Sequence, residues 1–276
     1  TVHRSVHGPV IKNEAGAFAV RYGGIGEIAQ VEQYYRLAKA RSYADWISAM
    51  RLARIPATNF IYADATGRIA FFYNARFPER APGFDWRGIL PGNTSRALWR
   101  KQLPFEAAPQ LVSPASGWLV NANNAPWLAT DATANLRRGA YSPLLGIEEN
   151  VTNRALRSVA LLSPMPRISS EALWRVKMDT GYDSAGGERR YIARVLALDT
   201  GGRPDLAQAL RLLRSWDGTL DGRGAADALA FLLIKYPFRN IYRNLPPPPP
   251  AEALADAVER LSRTFGRLDP PLAQLV

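Results

Sequence analysis

Two runs of strand-forming side chains, Asn59-Phe60-Ile61-Tyr62-Ala63-Asp64 and Arg68-Ile69-Ala70-Phe71-Phe72-Tyr73, stand on either side of Ala65-Thr66-Gly67. β-Branched and aromatic residues broken by a short glycine-containing turn predict a β-hairpin, with Gly67 in the left-handed conformation that a tight loop needs. More strand signal precedes it. Val2 to Ile11 reads as one extended stretch and Ala17 to Tyr22 as another, with Asn13-Glu14-Ala15-Gly16 as the turn between them. Between these strands and the hairpin the spacing changes to a helical period. It predicts one helix over Glu27 to Ala40 and a second over Tyr43 to Leu52, with Ser42 as its cap.

The chain then changes character. Pro78 to Pro114 is a long irregular segment rich in proline, glycine and aromatic residues. A loop of this length is either functional or packed around a site. It closes on a short apolar strand at Trp118 to Val120. Beyond about residue 150 helical periods dominate, over Thr152–Leu162, Ser170–Met178, Gly187–Ala197, Asp205–Ser215, Ala225–Leu233 and Ala251–Phe265. The last carries Leu254, Val258, Leu261 and Phe265 along one stripe. It follows Pro246 to Pro250, which reads as a polyproline II spacer or as a ligand for a proline-binding domain. The expected class is α+β, with a strand-rich part holding two helices over residues 1–150 and a helical part over residues 151–276.

Composition narrows the function. A chain of 276 residues with 47% hydrophobic and 10% aromatic content can bury a sizeable core. No apolar run is long enough to cross a bilayer, so no membrane partner is expected. With no cysteine, thiol nucleophiles, disulfides and zinc thiolate sites are excluded. His3 and His7 are the only imidazoles; alternation would put both on one strand face, but no carboxylate stands beside them, and no metal site is expected. The net charge of +11 comes almost wholly from arginines scattered among carboxylates, without a basic run. That pattern reads as a solvated basic surface, and the expectation is no nucleic-acid partner.

The chemistry concentrates in Gly117-Trp118-Leu119-Val120-Asn121-Ala122-Asn123-Asn124-Ala125-Pro126. Three side-chain amides follow an apolar run and end at a proline. Such a cluster is either a polar turn or a place where neutral N–H donors point at a developing negative charge. No Gly-x-Ser-x-Gly, P-loop, dinucleotide fingerprint or His-Glu-x-x-His accompanies it. Thr1 offers a hydroxyl beside a free amine, one arrangement for an activated nucleophile.

Several segments in order resemble the β-chain of the penicillin acylase family of N-terminal-nucleophile hydrolases. They are Arg4 to Val10, Asn59 to Ile69, Leu90-Pro91-Gly92, Leu103-Pro104-Phe105-Glu106 and Ser116 to Pro126. Arg154 with Leu161-Leu162, and then Trp216-Asp217-Gly218, continue the series. Pro126-Trp127-Leu128, Tyr141 to Leu144 and Asn153 to Arg157 look closer to acylases of N-acyl-homoserine lactones and lipopeptides than to penicillin G acylase. The resemblance implies an incomplete αββα core of antiparallel strands. It implies an amide hydrolase made as a self-cleaving precursor, partnered by the α-chain of that precursor and located in the periplasm or outside the cell. A serine at the start of the β-chain attacks the amide while its own amine acts as base. By the same resemblance Asn123 is the side-chain oxyanion donor and Arg154 orients it and favours a neutral amine, unless Arg154 is a plain helix-surface residue. Tyr34 and Thr58 line the acyl pocket, or are core packing.

Register against the family puts Thr1 in mid-chain, so the resemblance argues against it as nucleophile and implies that the serine lies upstream. Some family members hold structural calcium, but Ala134 and Asn135 occupy the neighbourhood of one expected carboxylate, and no cofactor is expected here. The leading reading is part of an acylase of N-acylated small molecules such as acyl-homoserine lactones, lipopeptides or penicillins. The alternatives are a non-catalytic descendant of that fold and a basic nucleic-acid-binding module.

Overall fold

The computed structural model describes residues 2–149, 151–243 and 246–276, and the side chains within them except those of 236–243. Contacts divide the chain into two compact units, Thr1–Glu149 and Asn150–Val276. The first is built on two three-stranded antiparallel sheets, the second on helices. The class is α+β, as the patterning predicts.

In the first sheet β1 (His3–Ser5), β2 (Gly8–Asn13) and β3 (Gly16–Ala19) pair in chain order. The single strand expected over Val2 to Ile11 is therefore two, folded back so that Arg4 faces Pro9. Gly8 makes the fold-back possible: its φ is +139°, and a side chain there would run into the Val20 carbonyl. The fold-back also parts the histidines, leaving His3 on β1 and His7 in the turn, where its Nε2 lies 3.1 Å from the Gly92 carbonyl oxygen.

The second sheet carries the predicted hairpin. β4 (Ala57–Ala63) pairs with β5 (Ile69–Ala75) from Ala57↔Ala75 to Ala63↔Ile69, with Gly67 at φ +86° in the turn. β6 (Gln110–Val112), hidden at the end of the proline-rich segment, extends the sheet beyond β5. Against one face lie helices α1 (Gln30–Lys39) and α2 (Tyr43–Met50). Ser42 caps α2, its Oγ accepting the Asp45 N–H at 3.1 Å. Met50, Phe72 and Phe105 are buried at the centre of this layer, with Trp46, Phe60 and Tyr62 packed around them.

The second unit contains α3 (Asn153–Leu162), α4 (Ser170–Lys177), α5 (Gly187–Leu196), α6 (Pro204–Arg214), α7 (Asp227–Arg243) and α8 (Pro250–Phe265). Thr152 and Ser169 cap α3 and α4 through their hydroxyls. α7 outruns the expected Ala225–Leu233 and continues past Pro237. One proline removes a single i→i−4 bond, while Leu229, Leu232 and Leu233 are buried on the helix's inner face. Leu254, Val258 and Leu261 of α8 join them in the core, and Gly266 ends α8 in the left-handed conformation.

Leu254 has no exposed surface. Leu254→Ala should therefore cost about 2–5 kcal/mol, the range for truncating a buried leucine. Denaturant titration of the helical unit checks this; a loss below about 1 kcal/mol would mean that the α8 stripe is not its core.

Candidate active site

Alternation along β4 sorts its side chains onto two faces. Thr58, Phe60 and Tyr62 point to the side of α1 and α2, where Phe60 lies 6.1 Å from the Trp46 ring and 6.4 Å from that of Tyr34. Asn59 therefore points the other way. Its Nδ2 donates to Asn121 Oδ1 at 3.2 Å and to the Asn124 carbonyl at 3.3 Å. A strand residue and a loop more than sixty positions downstream are thus joined by one amide.

The loop is a tight asparagine turn. Asn121 Oδ1 accepts the Asn123 N–H at 3.0 Å, and Asn124 Oδ1 accepts the Ala122 N–H at 2.7 Å. Asn124, 1% exposed, also donates to the Ala125 carbonyl. Asn123 sits at the apex with φ +59°, a left-handed conformation that asparagine tolerates better than most residues. Its position is exposed, whereas Ala122 and Asn124 on either side are buried.

The stretch before the turn is not the strand expected at Trp118 to Val120. It makes one cross-chain backbone bond, Val120 N–H to the Ala129 carbonyl at 2.8 Å. The Trp118 carbonyl, which a neighbouring strand would need, accepts from the Thr130 hydroxyl at 2.8 Å. Side-chain hydroxyls have displaced a ladder here.

The other expected site residues lie as follows. Thr58 is exposed, pairs across the sheet with Asn74, and its hydroxyl donates to the Ala57 carbonyl at 2.6 Å. Tyr34 is on α1, 47% exposed, on the same side of the sheet as Thr58. The structure thus brings Tyr34 and Thr58 to one face of β4 and the Asn123 turn to the other. Arg154 is exposed in the first turn of α3, in the second unit. Thr1 lies outside the described residues. Among the described residues of the first unit are an open cleft of about 330 Å³ lined by Ser5, His7, Arg21, Arg76 and Trp99 among others, and one of about 540 Å³ including Phe18, Trp86 and Leu90. Asn123, Thr58 and Tyr34 line neither.

Two asparagines escaped the sequence reading. Asn59 was visible only as part of a hairpin, and Asn74, buried on β5, donates to the Ile55 carbonyl at 3.1 Å. The available signal was compositional, since asparagine is depleted from strands.

An ion cluster closes the end of the hairpin where Thr58 and Asn59 lie. The Arg76 N–H donates to the Pro56 carbonyl at 2.9 Å, and the Arg76 guanidinium meets the Glu27 carboxylate, which Arg54 also contacts at 3.1 Å. The Ala29 N–H donates to Glu27 at 2.8 Å. This amide first, and then the two arginines, hold the Glu27 pKa at about 2 against the upward pull of desolvation.

A family model described as penicillin amidase matches residues 1–271. The chain belongs to the penicillin amidase family. It is 28% identical over 228 residues to penicillin G acylase of Escherichia coli, a match covering 79% of this chain and 25% of that protein. To the penicillin acylase 2 proenzyme of Pseudomonas sp. (strain SE83) it is 28% identical over 227 residues, covering 80% of this chain and 28% of that one. The chain thus spans about a quarter of the length of these relatives. Among solved structures, a thermostable penicillin G acylase from Alcaligenes faecalis superimposes with a TM-score of 0.64 at 20% identity, over 97% of this chain and 58% of that chain. The fold is that of the penicillin acylases, a family of amide hydrolases.

A carboxylate whose folded pKa lies below its unfolded value stabilises the fold above the unfolded value, and the contribution is lost as pH falls through the folded one. For Glu27 that window runs from 4.5 down to about 2. Glu27→Gln should lower Tm at neutral pH, and the gap to the unmodified chain should narrow across that window. A gap that stays constant from pH 7 to 2 would refute this role for the carboxylate.

Proposed function

We propose that this chain is part of an acylase that cleaves the amide of N-acylated small molecules, with acyl-homoserine lactones, lipopeptides and penicillins as the substrate classes. The observation that carries this reading is the asparagine turn, set on the family's hairpin in a chain that matches the family along nearly its whole length. A serine carried outside these 276 residues would attack the amide carbon, and its own amine would take the hydroxyl proton. The carbonyl oxygen then bears a negative charge. The side-chain N–H of Asn123 stabilises that charge without itself being charged, together with a backbone N–H also outside this chain. Collapse of the tetrahedral species expels the amine and leaves an acyl-enzyme; water releases the acid by the same route. A donor held where the oxyanion will form contributes more in the transition state than in the ground state, which is why it accelerates the reaction.

The family resemblance alone supports the remaining roles, Arg154 in orienting the site and favouring the neutral amine, and Tyr34 and Thr58, which share the helix side of β4, in the acyl pocket. The partner is the α-chain of the same precursor, and the compartment is the periplasm or the exterior. Among the described residues no helix is long and apolar enough to span a membrane.

Two experiments test the reading. In the longer, processed protein Asn123→Ala should reduce turnover of an acyl amide about a hundredfold or more, on the order of 3 kcal/mol, with the protein still folded. Unchanged turnover would remove Asn123 from the oxyanion site. The 276-residue chain by itself should hydrolyse neither penicillin G nor an acyl-homoserine lactone, because a hydroxyl without a positioned base is a poor nucleophile at neutral pH. Hydrolysis by this chain that disappears in Thr1→Ala would make Thr1 the nucleophile and overturn the assignment.

A further inference from the structure

We infer that Asn59 is the positioning residue of the site: from its place on β4 it holds the backbone of Asn123 in the left-handed conformation that presents the Asn123 amide. The inference rests on the oxyanion role proposed for Asn123 and assigns a second residue to it.

Such a hold has something to act on. The left-handed region at φ +59° is open to asparagine but is a minority conformation even for it, so contacts on either side of Asn123 favour it over the alternatives. Asn59 touches the turn on both sides of the apex residue, at the Asn121 side chain two positions before it and at the Asn124 backbone carbonyl one position after it. The first contact is transmitted further. Asn121 Oδ1 is also the acceptor of the Asn123 N–H, so fixing that oxygen fixes the peptide that sets φ at the apex. The second contact fixes the chain as it leaves the apex, where Asn124 is already buried and bonded to the Ala122 N–H.

The chemistry of the contact selects the residue. Both partners are acceptors, so position 59 must offer two hydrogens from one short arm. The primary amide of asparagine has two; serine or threonine has one; aspartate has none and would set its oxygens against two others. The arm must also start from a fixed point. β4 is paired with β5 on both sides of Asn59, at Thr58↔Asn74 and Phe60↔Phe72, and Phe60 is packed against Trp46 on the opposite face. The clamp is thus referred to the sheet rather than to another loop, which is what a catalytic donor needs to stay within a fraction of an ångström of its target.

The test compares Asn59→Ala, Asn59→Ser and Asn59→Asp with Asn123→Ala. In the 276-residue chain, NMR scalar couplings and backbone chemical shifts of Asn123 report φ, and those of Phe60 and Phe72 report the sheet. In the longer, processed protein, kcat and KM are measured on an acyl amide. Asn59→Ala should move the Asn123 couplings out of the left-handed range, leave the Phe60 and Phe72 signals in place, and lower kcat about tenfold or more with KM little changed. Asn59→Ser, with one hydrogen, should recover part of kcat, and Asn59→Asp should be worse than alanine. Unaltered Asn123 couplings and unaltered kcat in Asn59→Ala, with Asn123→Ala inactive, would overturn the inference while sparing the oxyanion role. If Phe60 and Phe72 shift together with Asn123, and kcat losses follow Tm across the three variants, Asn59 is a structural residue and the inference fails. Full turnover in Asn123→Ala would overturn the oxyanion role itself, and the catalytic meaning of the clamp with it.

Discussion

The pairing of β4 with β5 is the constraint on which the rest of the first unit depends. Once Phe60 faces Phe72 across the ladder, the two-residue period of the strand decides every other direction along it. Phe60 and Tyr62 are sent to Trp46 and the two helices, and Asn59 to the opposite side. A slip of one residue would put the asparagine amide among Met50, Phe72 and Phe105 and turn Phe60 toward a turn made of amides. Both halves of that exchange are costly, since a buried amide without partners and an exposed aromatic ring are each unfavourable. The hydrophobic layer therefore fixes the polar site through register, without touching it.

Charge plays a smaller part than the net +11 suggests. Arginines are paired within a few residues of themselves, as in Arg87 with Asp85, Arg203 with Asp205 and Arg267 with Asp269. Exposed pairs of this kind are each worth at most about 1 kcal/mol and are screened by salt. The cluster of Glu27 with Arg54 and Arg76 differs, because the Glu27 side chain is only 9% exposed and the contacts cross the fold. It fastens the segment before α1 to both strands of the hairpin at the end nearest the asparagine turn.

What could be read from the sequence was what depends on neighbours in the chain. Ser42 stood one residue before a helical period and caps it; Gly67 lay between alternating runs and turns them; Leu254, Val258 and Leu261 kept a period and are buried together. The family resemblance was legible for the same reason, since its motifs are short and ordered. The failures are of the opposite kind. Trp118 to Val120 had the composition of a strand, but the Thr130 hydroxyl had taken the carbonyl a ladder would use. Val2 to Ile11 looked continuous because the β-branched residues outvoted Gly8, whose left-handed backbone folds the chain back. β6 was obscured by the prolines around it. The link from Asn59 to Asn121 and Asn124 spans sixty-two and sixty-five positions, and no local pattern encodes it.

Thr58 and Asn59 are consecutive, yet a pleated strand turns them to opposite sides of a sheet one backbone thick. A side chain at 58 can become larger, smaller or more polar without entering the hydrogen-bonded shell of the asparagine turn. Position 59 has no such latitude, because it faces two acceptors at fixed distances. A change at the first position is felt on the helix side of the sheet, and a change at the second is felt in the turn. The strand works as a partition, keeping the surroundings of one side chain apart from those of the next across a single peptide bond.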